Sequence, residues 1–273
     1  MTFLSGMDKA YSRRAFLKFA SAAAVGAGLA GHASPLAKKA KSPGKLRVQV
    51  ATANNPLVAR TFAILKSRIE ERGAARVVEV RSRPKVILTL DAQLPVEAFR
   101  IDAVRSAVRV AGGSPSGLLY GVGKFLRTSG YDGEFQPSGW RGTSKPHGLV
   151  RGMYFASHFH NWYVQASDAE IARYMEDIAL WGVNVVKVIF PMINLQGWND
   201  PEAGPAMDMV RKYAQAARAL GIRFATGLNN CMFIGAPANI RAKRLADPTH
   251  RRGNSGNPIC PSNPDGHAYL IDI

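Results

Sequence analysis

Seven consecutive residues, Ser157-His158-Phe159-His160-Asn161-Trp162-Tyr163, put two imidazoles, a carboxamide, an indole and a phenol into one loop-length segment. Further on, Asn194 and Trp198 follow Pro191. Asn229-Asn230 then precede roughly 35 residues without clear periodicity, a length usual for functional loops, which end in Cys260-Pro261-Ser262-Asn263-Pro264. Neutral side chains that both donate and accept hydrogen bonds, set beside exposed indoles, suit a sugar. Hydroxyls need paired donors and acceptors, and ring C–H faces stack on aromatics. The candidate sugar contacts are His158, His160, Asn161, Trp162, Trp198 and Asn229. A second chemistry stays open, because two histidines spaced His-x-His on one side of a strand end can ligate a metal.

These segments need strands to position them. Residues 152–156 read as a short apolar strand. Ser167-Asp168-Ala169-Glu170 is a capping box, and Ile171, Met175 and Ile178 mark the buried stripe of the helix it opens. Gly182 ends that helix. Residues 183–190, apolar at six of eight positions, are expected to form a strand covered on both faces. A helix over 206–220, with Val210, Ala214 and Ala217 inward, stops at Gly221, and 222–227 makes a third strand. Strands alternating with helices predict a parallel sheet, and in barrels of this kind function lies at the strand C-terminal ends. All six candidate residues fall there.

Upstream, residues 46–145 read β-α-β-β-β-β-α, an α+β sandwich of about 100 residues. Residues 45–52 alternate, with Leu46, Val48 and Val50 on one face. Asn55-Pro56 opens a helix whose stripe is Leu57, Phe62, Leu65 and Ile69, and Gly73 stops it. Strand-like runs follow at 76–81, 85–90, 98–104 and 107–111. Gly112-Gly113-Ser114-Pro115 then turns the chain into a helix over 116–126. Gly117, Gly121 and Gly123 with Lys124 imitate a phosphate loop. A Walker motif has four residues between its first Gly and the Gly-Lys pair; here there are five, and no Ser or Thr follows Lys124. The glycines also lie inside the helix, where the N–H groups are already bonded. They predict close helix–sheet packing, and no cofactor is expected.

Ser12-Arg13-Arg14-Ala15-Phe16-Leu17-Lys18 precedes an apolar run over 19–30 and a small-x-small Gly31-His32-Ala33, the pattern of a twin-arginine export signal. It predicts recognition by the Tat translocase, cleavage near Ser34 and a periplasmic or extracellular protein. The apolar run is too short and too rich in Ala and Gly for a stable span after cleavage. Thirty-six Lys and Arg against nineteen Asp and Glu give a net charge of +17. Residues 34–150 hold 20 basic and 8 acidic side chains, whereas 151–273 hold 12 and 10. No zinc finger, helix-turn-helix or aromatic RNA sheet accompanies the basic part, so a solvated basic face or adhesion to an anionic envelope is expected, and nucleic acid is not. Cys231 and Cys260, the two cysteines, exclude a disulfide scaffold and leave one bridge or two free thiols open.

Residues 113–126 (GSPSGLLYGVGKFL) resemble the closing helix of the small domain that precedes the barrel in β-hexosaminidases and α-glucuronidases. Val150-Arg151-Gly152-Met153-Tyr154-Phe155, then His158-Phe159-His160, the capped helix and Trp181-Gly182-Val183-Asn184, are similar to the opening of their catalytic barrel. The resemblance spans roughly residues 46–270. After the export signal (1–33) and a Pro/Lys/Gly-rich linker (34–45), it implies a β-hexosaminidase-like α+β domain (46–145) and an incomplete TIM-type (β/α) barrel of about three units (146–273). It also implies a sugar-binding Arg151, by its place before the first barrel strand. The pattern departs where those enzymes carry an Asp on that strand, Ala156 here, and at residues 190–194. The function implied is the N-terminal part of an exported glycoside hydrolase acting on poly- or oligosaccharide. Glycoside hydrolysis uses two carboxyl groups, and the resemblance places the acid after a fourth strand, hence outside this sequence. The alternatives are a metal-dependent, amidohydrolase-like barrel using His158 and His160, and a non-catalytic envelope protein that binds glycans.

Overall fold

The strand β1 (Lys45–Val50) runs parallel to β2 (Arg76–Glu79) on one side and β3 (Val86–Leu90) on the other. The computed structural model describes residues 44–52, 54–157, 161–191, 199–228 and 264–271. β3 pairs in parallel with β5 (Ala107–Gly112), β5 antiparallel with β4 (Phe99–Val104), and β4 antiparallel with β6 (Gly142–Ser144). The six-stranded order is therefore β2-β1-β3-β5-β4-β6. β6 carries no hydrophobic alternation and escapes a reading based on periodicity.

Two helices cover this sheet. Asn55 caps α1 (Pro56–Glu70) through its side chain, which accepts from the Leu57 and Val58 N–H groups, and Ser114 caps α2 (Pro115–Thr128) through Gly117 N–H. The buried stripe of α1 is Val58, Thr61, Ile64, Leu65, Arg68 and Ile69, with Leu57 and Phe62 only partly buried. Of the expected stripe Leu65 and Ile69 are buried and Leu57 and Phe62 pack against its margin; Arg68, which was not expected inside, lies 2.9 Å from both Glu176 and Asp177. The glycines of α2 mark close approach, in two directions. A Cβ on Gly117 would stand 2.4 Å from the Ala98 carbonyl, and one on Gly121 2.9 Å from Val110. Gly123 faces away from the sheet, where a Cβ would meet the Leu180 carbonyl at 1.9 Å.

Leu180 belongs to the second layer. β7 (Gly152–Phe155), β8 (Val185–Phe190) and β9 (Arg223–Leu228) form a parallel sheet in that order, joined by α3 (Trp162–Gln165), α4 (Asp168–Leu180) and α5 (Ala203–Arg218). This is an α+β domain followed by three units of a (β/α) barrel arc. α6 (Pro264–Ile271) comes later in the chain. The capping box on α4 forms with both of its bonds, and Ile171, Met175 and Ile178 are buried as expected. In α5 the inward residues are Ala203, Ala206, Tyr213 and Ala217, so Tyr213 takes the place expected of Ala214. Residues 43–273 form one compact unit.

β8 differs from its expected all-buried character. Val186, Val188 and Phe190 pack beneath the helices, but Lys187 is exposed. Helices cover one face of the sheet; the other carries the row Tyr154, Lys187 and Ala225, paired across the three strands.

Candidate functional site

The chain leaves β7 at Phe155, and a short series of hydrogen bonds to the backbone shapes the turn beyond it. Ser157 is buried; its Oγ donates to the Ile189 carbonyl at the end of β8, and its N–H donates to Phe155 O at 2.9 Å. Asn161 Nδ2 donates to Ala156 O at 3.0 Å, while its Oδ1 accepts from Tyr163 N–H at 3.0 Å. The carboxamide thereby bonds the backbone just beyond β7 with one end and the first turn of α3 with the other. Asn161 is consequently a positioning residue for Trp162 as well as a polar group at the strand end.

Trp162 stands on a stack of aromatic rings. Phe155 is fully buried, lies parallel to Tyr163 (4.8 Å between centroids, 9° between planes) and meets Tyr213 edge-on at 5.4 Å. Trp162 in turn meets Tyr163 and Tyr174 edge-on, at 5.6 and 5.2 Å. Tyr213 Oη donates to the Tyr163 carbonyl at 2.9 Å, fastening α5 to the same cluster. Burial, then the neighbouring Tyr163, pushes the Tyr174 phenol up, so it stays neutral at physiological pH. Trp162 as a residue is 37% exposed. A rigid, partly exposed indole beside neutral hydroxyls can stack on a sugar ring at little entropic cost.

Three of the described carboxylates at this end are engaged in structural contacts. Asp168 pairs with Lys212 at 2.9 Å, Glu170 closes the capping box and Asp200 Oδ1 accepts from Glu202 N–H. Glu202 caps α5 without a side-chain hydrogen bond to it. Glu176 and Asp177 lie at the other side of α4, where Arg60 and Arg68 hold Glu176 at 2.7 and 2.9 Å.

Arg151 sits at the opposite, N-terminal end of β7. Its Nε donates to Gly182 O at 2.6 Å and its Nη1 to Gly148 O at 2.7 Å. Its Nη2 lies 3.1 Å from Glu97 Oε1 and 3.4 Å from Tyr120 Oη. Asn184 completes the knot by accepting from Arg151 N–H at 2.9 Å and donating to Glu97 at 3.1 Å. Burial works against ionising Glu97, but the hydrogen bonds of Arg151 and Asn184 and the Arg151 charge together hold its carboxyl below the usual range. Burial pushes the Tyr120 phenol up to about 12, with the Glu97 charge adding to it.

The structure therefore brings Asn161 and Trp162 together and sets Arg151 apart from them. His158, His160, Trp198 and Asn229 lie outside the described residues, as do Cys231, Cys260 and the export signal. Sequence reasoning missed Tyr163, Tyr174 and Tyr213 as the support of Trp162; the spacing of Tyr174 one turn behind Ile178 was the available signal. It also missed Lys187, which a strict two-residue alternation in β8 would have found. Among the described residues no group of three or more His, Cys, Asp or Glu is placed to hold a metal, and no helix is long and apolar enough to cross a membrane.

No protein-family model matches the sequence, and no curated protein does. Solved structures do resemble the fold. The family GH20 exo-β-N-acetylglucosaminidase of Vibrio harveyi, in complex with N-acetylglucosamine, superposes with a TM-score of 0.57 at 16% identity, over 83% of this chain and 40% of that one. The GH20 β-N-acetylhexosaminidase of Streptomyces coelicolor A3(2) gives 0.57 at 17%, over 83% and 51%. The GH115 4-O-methyl-α-glucuronidase BtGH115A, described as specific for decorated arabinogalactans, gives 0.52 at 15%, over 77% and 32%. The chain thus spans 32–51% of the length of these enzymes, and it shares their fold.

Proposed function

We propose that this chain is the N-terminal part of an exported glycoside hydrolase, with its sugar contacts at the C-terminal ends of β7, β8 and β9. The observation that carries the reading is Trp162, held on the Phe155–Tyr163–Tyr174 stack where the fold's ligands bind. The glycoside hydrolase-like fold supports a carbohydrate as the substrate class. His158, His160, Trp198 and Asn229 complete the proposed contact set. The carboxyl pair that hydrolysis requires is assigned to none of the described acids; Asp168, Glu170 and Asp200 serve an ion pair, a helix cap and a turn.

The decisive experiment is an array of neutral and acetamido oligosaccharides read by tryptophan fluorescence. Binding is expected, together with its loss on Trp162→Ala. An array blank for the folded protein, or binding indifferent to Trp162→Ala, overturns the reading. Export is proposed through Arg13 and Arg14. Replacing both by Lys is expected to leave folded precursor in the cytoplasm, as cell fractionation would report; unimpaired export of the double variant refutes the Tat route.

A further inference from the structure

Two clefts open along the seam where α2 meets the C-terminal end of α4. One is about 250 Å³ and the other about 190 Å³, and Arg127, Leu180 and Trp181 wall both. Trp181 ends α4 and is 72% exposed, an unusual position for an indole with no sheet or helix of its own to cover. The Arg127 guanidinium lies over one face of it, 4.0 Å from the centroid, and donates from Nη1 to the Leu180 carbonyl at 2.7 Å. The arginine thus fixes the indole and leaves its second face open.

The charge around this platform is one-sided. Arg151 is paired with Glu97, and Arg68 with Asp177, across the walls of the two clefts. Lys124, Arg127 and Lys145 in the larger cleft and Arg72 in the smaller form no ion pair among the described residues. Lys124 Nζ instead covers the ring of Trp140 at 5.0 Å. Burial lowers the proton affinity of Arg127, the mark of a cation kept partly from water with no carboxylate to offset it. An anion entering the seam would supply that missing partner.

We propose that the seam is a binding site for an acidic saccharide, a pyranose chain bearing carboxylates. The open face of Trp181 stacks on a sugar ring, and Lys124, Arg127 and Lys145 meet its carboxylate and that of the next residue. A single-stranded nucleic acid is the less suitable polyanion, because it needs successive free aromatic faces for successive bases. Here only one is free: Trp140 is already covered by Lys124 and packed against Phe99 at 6.2 Å. The site lies beside Arg151 and Gly182, which precede β7 and β8, at the end of the sheet away from Trp162. It goes beyond the sugar site proposed there and stands without it.

Titration calorimetry on the full chain at low salt, with trigalacturonate as the probe, tests the assignment. Its fully methyl-esterified counterpart serves as the neutral control. Trigalacturonate is expected to bind, about tenfold more tightly than the ester, and about tenfold more weakly to Trp181→Ala and to Lys124→Gln. Both substituted side chains reach solvent, so neither variant depends on core packing. No binding, equal binding of the ester, or binding unchanged in both variants overturns the proposal. So does equal competition by a single-stranded oligonucleotide. Binding lost in Trp162→Ala but kept in Trp181→Ala would place the ligand on the barrel end, refuting the seam site while supporting the other. Seam binding with no response on the neutral array would do the reverse.

Discussion

Arg151 carries five N–H donors in a planar fork, and four neighbours engage its three nitrogens: two carbonyls, a carboxylate and a phenol. Its place before the first strand of the second sheet was readable from Arg-Gly in the sequence. Its bonds were not, since Glu97 and Gly182 are brought to it only by the folding of separate segments. Glu97 is the residue through which this knot responds to pH. Its carboxyl has a lower proton affinity folded than unfolded, so acid favours the unfolded chain, which binds the proton first. The stability it contributes is complete above the unfolded value of 4.5 and disappears as pH falls through the folded value. Glu97→Gln is therefore expected to cost about 1–2 kcal/mol at neutral pH, where it weakens charged hydrogen bonds to Arg151. Urea melts should show that gap closing progressively as pH falls below 4.5. A gap that stays constant over this range would assign the acid response to other groups, such as Asp102 beside Arg109.

At the scale of elements, periodicity and caps carried most of the reading. Asn55, Ser114 and Ser167 each cap the helix expected of them, because an N-cap is a local interaction written in adjacent residues. Which face a helix buries was less legible. Arg68 is buried on α1 with its charge met by Glu176 on another helix, and Tyr213 sits in the core of the second layer with its hydroxyl on the Tyr163 carbonyl. Buried polar groups with tertiary partners break the rule that apolar residues alone mark the inner face. Trp162 was legible as a candidate, but not the ring stack beneath it, which draws on α3, α4 and β7. The glycines of α2 were read correctly as packing residues, with one partner unforeseen. Gly123 abuts Leu180 in the other layer, so Gly123→Ala is expected to destabilise by at least about 2 kcal/mol despite alanine's higher helix propensity. Gly204 in α5 is the control: nothing stands within 4 Å of its added Cβ, and Gly204→Ala should stabilise by up to about 1 kcal/mol. Chemical denaturation of the two variants checks the pair. Equal effects would mean that α2 does not approach α4 closely in solution.

For the molecule as a whole, the question is whether the two sheets unfold separately. The sequence divides them near residue 146, where composition and charge both change. The contacts across that division are of several kinds. Arg60 and Arg68 reach Glu176, Arg173 reaches Glu71 at 2.8 Å, Arg127 reaches Leu180, and Arg151 and Asn184 reach Glu97. Surface ion pairs alone would contribute little, since exposed pairs are worth at most about 1 kcal/mol each. What couples the layers is that these bonds surround a continuous apolar core, in which Leu65, Leu119, Met175 and Ile178 belong to one cluster. Losing either sheet would expose the helices of the other to water. Residues 43–273 should accordingly melt in a single calorimetric transition, with van't Hoff and measured enthalpies in agreement. Gly123→Ala should lower the midpoint of that transition and, by prising α2 from α4, broaden it. Two resolved transitions in the unsubstituted protein would show that the layers are stable apart and that the seam between them is a simple domain contact.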